Sequence, residues 1–244
     1  MPTVEGAGVP LHVEEQGTGP AVLLVHGLAS DGLALAPVAA AVAAGGARAI
    51  TYDRRGYGES GAPEPYLGTT VEEQAEDAAA VLRALDAGPA VVAGDGFGAL
   101  VALDLVKRHG GLVRAAVLSN PVLFALVPEA TEMLSAQRAQ IEEAVREGGP
   151  GAGVEAWLGG RVQGEALARA RAAPRGFFAD YAGLATWAVS RRELRALAVP
   201  AVVLTGPWSP PHVVAAADAL ADLLPAATRA DDGEIAAAVA ALLR

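Results

Sequence analysis

Short apolar runs alternate with longer stretches of helical spacing along most of this chain, and that alternation limits the fold more than any other feature. Residues 21–25, Ala-Val-Leu-Leu-Val, form a continuous apolar run. A strand covered on both faces has this composition. Further strands are predicted at 11–15, 47–52, 89–93, 113–118, 199–205 and 227–230. Helices are predicted at 36–44, 70–85, 97–108, 212–224 and from about 234 onward. Gly45-Gly46 stops the first helix. Thr70 caps the second, and Glu72 and Glu73 suit its positive N-terminal end. Strands alternating with helices make βαβ units, so the chain is predicted to be α/β, with a mostly parallel sheet and helices on both faces.

The rhythm changes over residues 122–197, where helical patterns occur without a convincing strand. Gly148-Gly149-Pro150-Gly151 and Gly159-Gly160 break those patterns. The predicted organisation is a core formed by residues 1–121 and 198–244, with residues 122–197 as a helical cap inserted into it.

Composition narrows the function classes. Apolar residues make up 52% of the 244 positions, which is ample for a large core, but only 5% are aromatic. A net charge of −10 argues against nucleic acid and anionic membrane surfaces as partners. With no cysteine, disulfides and thiolate metal sites are excluded. Residues 1–19 lack the basic-then-apolar pattern of a secretory leader. No segment approaches the ~18 uninterrupted apolar residues of a membrane helix. A cytoplasmic protein with a small-molecule ligand or substrate is expected, without metal or other cofactor.

Three motifs follow predicted strands in a fixed order. They are Val25-His26-Gly27-Leu28, then Tyr52-Asp53-Arg54-Arg55-Gly56-Tyr57-Gly58-Glu59-Ser60, then Gly94-Asp95-Gly96-Phe97-Gly98-Ala99. On these motifs the chain resembles the α/β-hydrolase superfamily over nearly its whole length. The resemblance implies a sheet of about eight strands, with the cap inserted after the sixth. It does not by itself imply an activity.

The sharp strand-to-helix turn of that superfamily has the pattern Gly-x-Ser-x-Gly, whose middle residue is the nucleophile. Here the middle residue is Gly96, which has no side chain to attack with. Shifting the register by one would make Asp95 the nucleophile and put bulky Phe97 where close strand–helix packing needs a small residue. The resemblance places the histidine between the last strand and the last helix. That stretch reads Arg229-Ala230-Asp231-Asp232-Gly233-Glu234, with no histidine. Of the four histidines, His12 lies on a strand, His26 belongs to the His-Gly motif, and His109 ends a helix. His212 follows the strand where the superfamily places the triad acid, and is a candidate base. After that strand the chain reads Gly206-Pro207-Trp208-Ser209-Pro210-Pro211, with no carboxylate; after the preceding strand it reads Ser119-Asn120-Pro121. The expectation is a degenerate triad, so this is not a conventional serine hydrolase.

The resemblance further implies an oxyanion hole from the backbone N–H groups of Leu28 and Phe97, which side-chain changes leave intact. His26, Gly27, Asn120, Trp187, Trp208 and Ser209 are predicted to line the pocket. The Asp53-to-Ser60 motif reads as a structural turn. Aromatics in or beside 122–197, Trp157 and Phe177 among them, read in part as cap core. Three functions stay open. One is a cofactor-free, non-hydrolytic enzyme performing elimination, cyclisation or isomerisation on a small apolar carbonyl compound, with Asp95, His212 or the Asp231/Asp232 pair as base. Another is a pseudoenzyme that binds a small molecule without turnover. The third is a hydrolase using Asp95 as its nucleophile.

Overall fold

A computed structural model describes residues 3–244. Eight strands form one sheet: β1 (Thr3–Glu5), β2 (Pro10–Gln16), β3 (Ala21–Val25), β4 (Arg48–Tyr52), β5 (Ala90–Asp95), β6 (Val113–Ser119), β7 (Ala201–Leu204) and β8 (Ala227–Ala230). Their spatial order is β1-β2-β4-β3-β5-β6-β7-β8. β2 pairs antiparallel with both β1 and β4, and every other pair is parallel. The eight-stranded sheet and its predominantly parallel pairing match the sequence expectation. The addition is β1, three residues that pair only with β2.

Five helices cover the two faces, four connecting strands and the last following β8. They are α1 (Ala36–Ala44), α2 (Val71–Ala84), α3 (Phe97–His109), α9 (Pro211–Leu223) and α10 (Ile235–Leu243). Side chains alternate across the central strands. Leu23 and Val25 of β3, with Ala116 and Leu118 of β6, face the core shared with α2, α3 and α9. Val22 and Leu24, with Ala115 and Val117, face the smaller core beneath α1 and α10. Both faces are therefore dry, which is why these strands carry apolar residues at successive positions.

Between β6 and β7 run five more helices: α4 (Thr131–Gly148), α5 (Pro150–Leu158), α6 (Gly164–Ala172), α7 (Pro174–Thr186) and α8 (Arg191–Ala196). Gly149-Pro150 divides α4 from α5, with Gly149 at φ 77°. Gly159 at φ 55° ends α5 in a left-handed cap. Ile141, Val154, Leu158 and Phe177 form a separate apolar cluster that closes over Ala29 of the β3–α1 loop. These helices thereby roof the C-terminal ends of the strands, where parallel sheets place their ligands.

Candidate active site

The turn between β5 and α3 is a single residue. Gly96 has φ 56° and ψ −113°, a region that side chains enter only with strain, and its N–H donates to the Ser119 carbonyl at 2.9 Å. The glycines on either side act by size. A Cβ on Gly94 would overlap the Gly98 carbonyl, and one on Gly98 would overlap the Val25 carbonyl. α3 therefore crosses β5 and β3 at backbone contact distance. At Gly96 itself, the nearest atom to an added Cβ would be Gly27 Cα at 3.9 Å. Residue 96 is the one that faces open space. Asp95 is still part of the strand, paired with Ser119 of β6, and Gly96 stands at the tip of the turn.

Three loops at neighbouring strand ends are tied together beneath that turn. Asp95 Oδ1 accepts from the Ser119 hydroxyl at 2.7 Å and from the Asn120 side-chain amide at 2.9 Å. Asn120 Oδ1 in turn accepts from the Ser209 hydroxyl at 2.6 Å, whose oxygen accepts from the Gly206 N–H at 2.8 Å. Asn120 sits at φ 47°, a conformation asparagine tolerates better than most residues. Asp95 Oδ2 accepts no hydrogen bond among the described residues. It lies 3.6 Å from where a Cβ on Gly27 would be, so the glycine keeps it uncovered.

Above this floor lies a cavity of about 710 Å³. Gly27, Leu28, Asp95, Gly96, Phe97, Asn120, Trp208 and Ser209 all border it, so most of the expected site converges there. The N–H groups of Leu28 and Phe97 have no acceptor among the described residues. Two such donors beside the N-terminus of α3 can receive a carbonyl or developing oxyanion. Trp208 stands at the mouth, 89% exposed. The walls are mostly apolar and come largely from α5 and α6, including Trp157, Leu158, Ala166 and Ala170. Three charged residues that the motifs gave no sign of also border the cavity: Asp31, Arg161 and Arg169. Asp31 and Arg169 pair at 2.6 Å, joining the β3–α1 loop to α6.

Other expected residues lie elsewhere. Trp187 is in the main core, not the pocket, with its indole N–H donating to Asp104 at 3.2 Å. His26 is fully buried and outside the cavity lining. Its Nε2 accepts the Arg54 backbone N–H at 2.9 Å, and its Nδ1 lies 2.9 Å from the Gly27 carbonyl. Burial, and then the Arg54 charge, push its pKa well below the ordinary histidine value. His212 packs against Phe124 at a ring separation of 5.3 Å and does not border the cavity. Burial and nearby Arg161 lower its pKa. Asp231 is an exposed side chain paired with Arg229 at 2.9 Å; neither it nor Asp232 borders the cavity. His12 lies between Glu14 and Glu59, at 3.6 and 3.8 Å, and His109 pairs with Glu76 at 2.8 Å.

The Asp53-to-Ser60 motif forms a buried ionic network. Arg54 pairs with Asp180 of α7 at 2.8 Å and donates to the His26 and Gly27 carbonyls and to Gln74. Burial alone would lower the Arg54 pKa, but Asp180 and Tyr57 hold it above its ordinary value. Tyr57 donates to Asp180 at 2.8 Å, and Gln74 donates to it at 2.5 Å. Beside this group Arg55 pairs with Asp77 at 2.7 Å. Asp53 accepts from the Gly32 and Glu59 N–H groups. Among the described residues no group of three or more His, Cys, Asp or Glu is arranged to hold a metal ion. No described helix is long and apolar enough to cross a membrane.

Comparison with known proteins agrees with this architecture. Residues 20–147 match a family model described as the alpha/beta hydrolase fold. An uncharacterized hydrolase of Bacillus subtilis is 34% identical over 125 residues, which is 51% of this chain and 46% of that protein. An epoxide hydrolase of Caballeronia sordidicola is 41% identical over 92 residues, 38% of this chain and 28% of that one. The chain thus spans about half or less of the length of these curated relatives. The crystal structure of an alpha/beta hydrolase from Sphaerobacter thermophilus superposes with a TM-score of 0.75 at 26% identity, covering 99% of this chain and 98% of that one.

Proposed function

The chain belongs to the α/β-hydrolase family, and we propose that within it this protein is a cofactor-free enzyme that abstracts a proton beside the carbonyl of a small, largely apolar compound. The observation that carries the reading is the composition of the cavity floor. Gly96 occupies the strained turn where a nucleophile would stand, while an uncovered carboxylate oxygen of Asp95 and the N–H groups of Leu28 and Phe97 border the same space.

In this reading the substrate carbonyl accepts from the two N–H groups, and Asp95 Oδ2 takes the proton from the adjacent carbon. Negative charge then gathers on the carbonyl oxygen, where the donors already point and need no reorganisation. The proton returns to a different carbon in an isomerisation, or a group leaves from the neighbouring carbon in an elimination. Neither requires a covalent enzyme intermediate, so Gly96 is no obstacle. Ser119 and Asn120 hold Oδ1 and so keep Oδ2 aimed at the cavity. Names ending in hydrolase describe the relatives; a hydrolytic route here would have to proceed without a side chain at residue 96.

The test is proton exchange at the carbon next to the carbonyl, followed by NMR in deuterated buffer with small ketones and aldehydes of increasing chain length. Exchange above the buffer rate, lost in Asp95→Asn, is the expected result. A burst of product from activated acyl esters by the unaltered protein would instead mean hydrolysis. A second reading, a binding protein without turnover, is favoured by one observation: no histidine borders the cavity. Saturable ligand binding with neither exchange nor burst would select it.

A further inference from the structure

The cavity carries two charges that are not neutralised within it, and they stand at different depths. Asp31 and Arg169 cancel each other at 2.6 Å. Asp95 is on the floor. Arg161 comes from the segment between α5 and α6 and has no carboxylate partner among the described residues. Its guanidinium is nonetheless held in place. Nε donates to the Leu158 carbonyl at 2.8 Å and Nη2 to the Trp157 carbonyl at 2.7 Å, the last carbonyls of α5. Nη1 has no acceptor among the described residues. Arg161 therefore presents a fixed, unpaired cationic donor to a mostly apolar cavity.

From this geometry we infer that the ligand of the cavity carries a carboxylate at the end remote from its reacting carbonyl, and that Arg161 binds it. The inference rests on the cavity being the ligand site, as in the reading above, but not on turnover. Opposite charges at the two ends orient the ligand. Asp95 repels the anionic group from the floor, so the carboxylate settles on Arg161 and the carbonyl reaches Leu28 and Phe97. A guanidinium already held by two hydrogen bonds to its own helix end loses little freedom on binding.

The experiment measures binding of straight-chain oxo-acids, whose carbonyl and carboxylate are separated by two to five methylenes, against their methyl esters. Titration calorimetry is run on the unaltered protein and on Arg161→Met, Arg161→Lys and Asp95→Asn, each first checked for a native melting transition. The acids should bind the unaltered protein about ten- to a hundred-fold more tightly than the esters, the range for a hydrogen bond to a charged group. Arg161→Met should erase that preference and Arg161→Lys should keep part of it. Asp95→Asn should keep all of it while losing any proton exchange. Acid preference without exchange in the unaltered protein would sink the enzymatic reading and leave Arg161 as the anion site. Equal affinity for acids and esters, or a preference that survives Arg161→Met, would overturn the inference whether or not exchange occurs.

Discussion

Gly27 touches two polar clusters that are built on opposite terms. Its carbonyl accepts from Arg54, whose guanidinium also donates to Asp180, Gln74 and the His26 carbonyl. Its Cα faces Asp95, where one carboxylate oxygen and two backbone donors have no partner among the described residues. Buried polar groups cost stability unless they are paired, so the first cluster is stable because its charges are matched within it. The second borders a cavity, where a ligand or water can complete it. One region holds the helices between β6 and β7 against the sheet; the other leaves its bonding capacity for something that arrives.

If that contrast is right, damage to the network should be costly to stability. Asp180→Ala leaves Arg54 buried and uncompensated, and should cost about 3–5 kcal/mol by urea denaturation. The double change Arg54→Met with Asp180→Leu should recover much of it, since the desolvated charges go together. A loss under about 1 kcal/mol for Asp180→Ala would mean that apolar contacts such as those of Phe177, and not the ion pair, dock α7. The one orphan in this region is the buried Tyr52 hydroxyl, which makes no hydrogen bond among the described residues.

His26 gives a pH test of the same cluster. Its folded-state pKa is depressed, first by burial and then by the Arg54 charge, and protonation would also put a hydrogen on Nε2 against the Arg54 N–H. Below about pH 6.5 the unfolded chain binds a proton that the folded one refuses. Stability is therefore fully present above that value and is lost as pH falls toward the folded pKa, by about 1.4 kcal/mol per pH unit. Urea midpoints at pH 7.5, 6.5 and 5.5 measure this. His26→Gln can still offer an oxygen to the Arg54 N–H and should flatten the slope; an unchanged slope would assign it to another group.

Sequence reasoning reached the sheet because every buried strand needs apolar side chains on both faces. It located the turn at Gly96 because Gly94 and Gly98 are required by backbone contact whatever residue lies between them. It did not find β1, whose three residues have no core of their own and form only against β2. Trp187 read as a pocket aromatic, because an apolar ring in a helical insert has the same local pattern whether it faces a cavity or a core. Asp180 gave no signal: a carboxylate on a helix is usually solvated, and its three partners, Arg54, Tyr57 and Gln74, lie up to 126 residues away along the chain, at Arg54. The chain of bonds from Asp95 through Asn120 to Ser209 was equally hidden. It exists only because β5, β6 and β7 are adjacent and end at the same level. Arg161 follows a glycine pair that marked a helix break, but nothing in that pattern says which way the side chain turns.

On the cavity side the effects on stability should be smaller. Gly96→Ser adds a side chain at φ 56° and should cost about 1 kcal/mol, at the low end for such strain because no atom lies closer than 3.9 Å to the new Cβ. The new hydroxyl would still lack a histidine to activate it, since none borders the cavity. Activated esters should therefore show no burst with this variant. A burst would mean that another group, Asp95 first among them, can serve as its base.

The smallest change in stability should come from Asp95→Asn, and it separates the two clusters most sharply. The new amide oxygen can take the place of Oδ1 and accept from Ser119 and Asn120 as before. The amide nitrogen then replaces Oδ2 and faces the cavity, where water can accept from it. Removing a carboxylate thus breaks no protein–protein hydrogen bond, and the urea midpoint should shift by no more than about 0.5 kcal/mol. Asp180→Asn also keeps one oxygen, but either way round it sets an N–H₂ group against a donor, Arg54 and Tyr57 on one side or the Gln74 amide on the other, in a fully buried site, and should destabilise by several times as much. If Asp95→Asn instead costs as much as Asp180→Asn, the floor is a structural network like the other. If it costs little and proton exchange disappears, the free oxygen is there for the ligand and not for the fold.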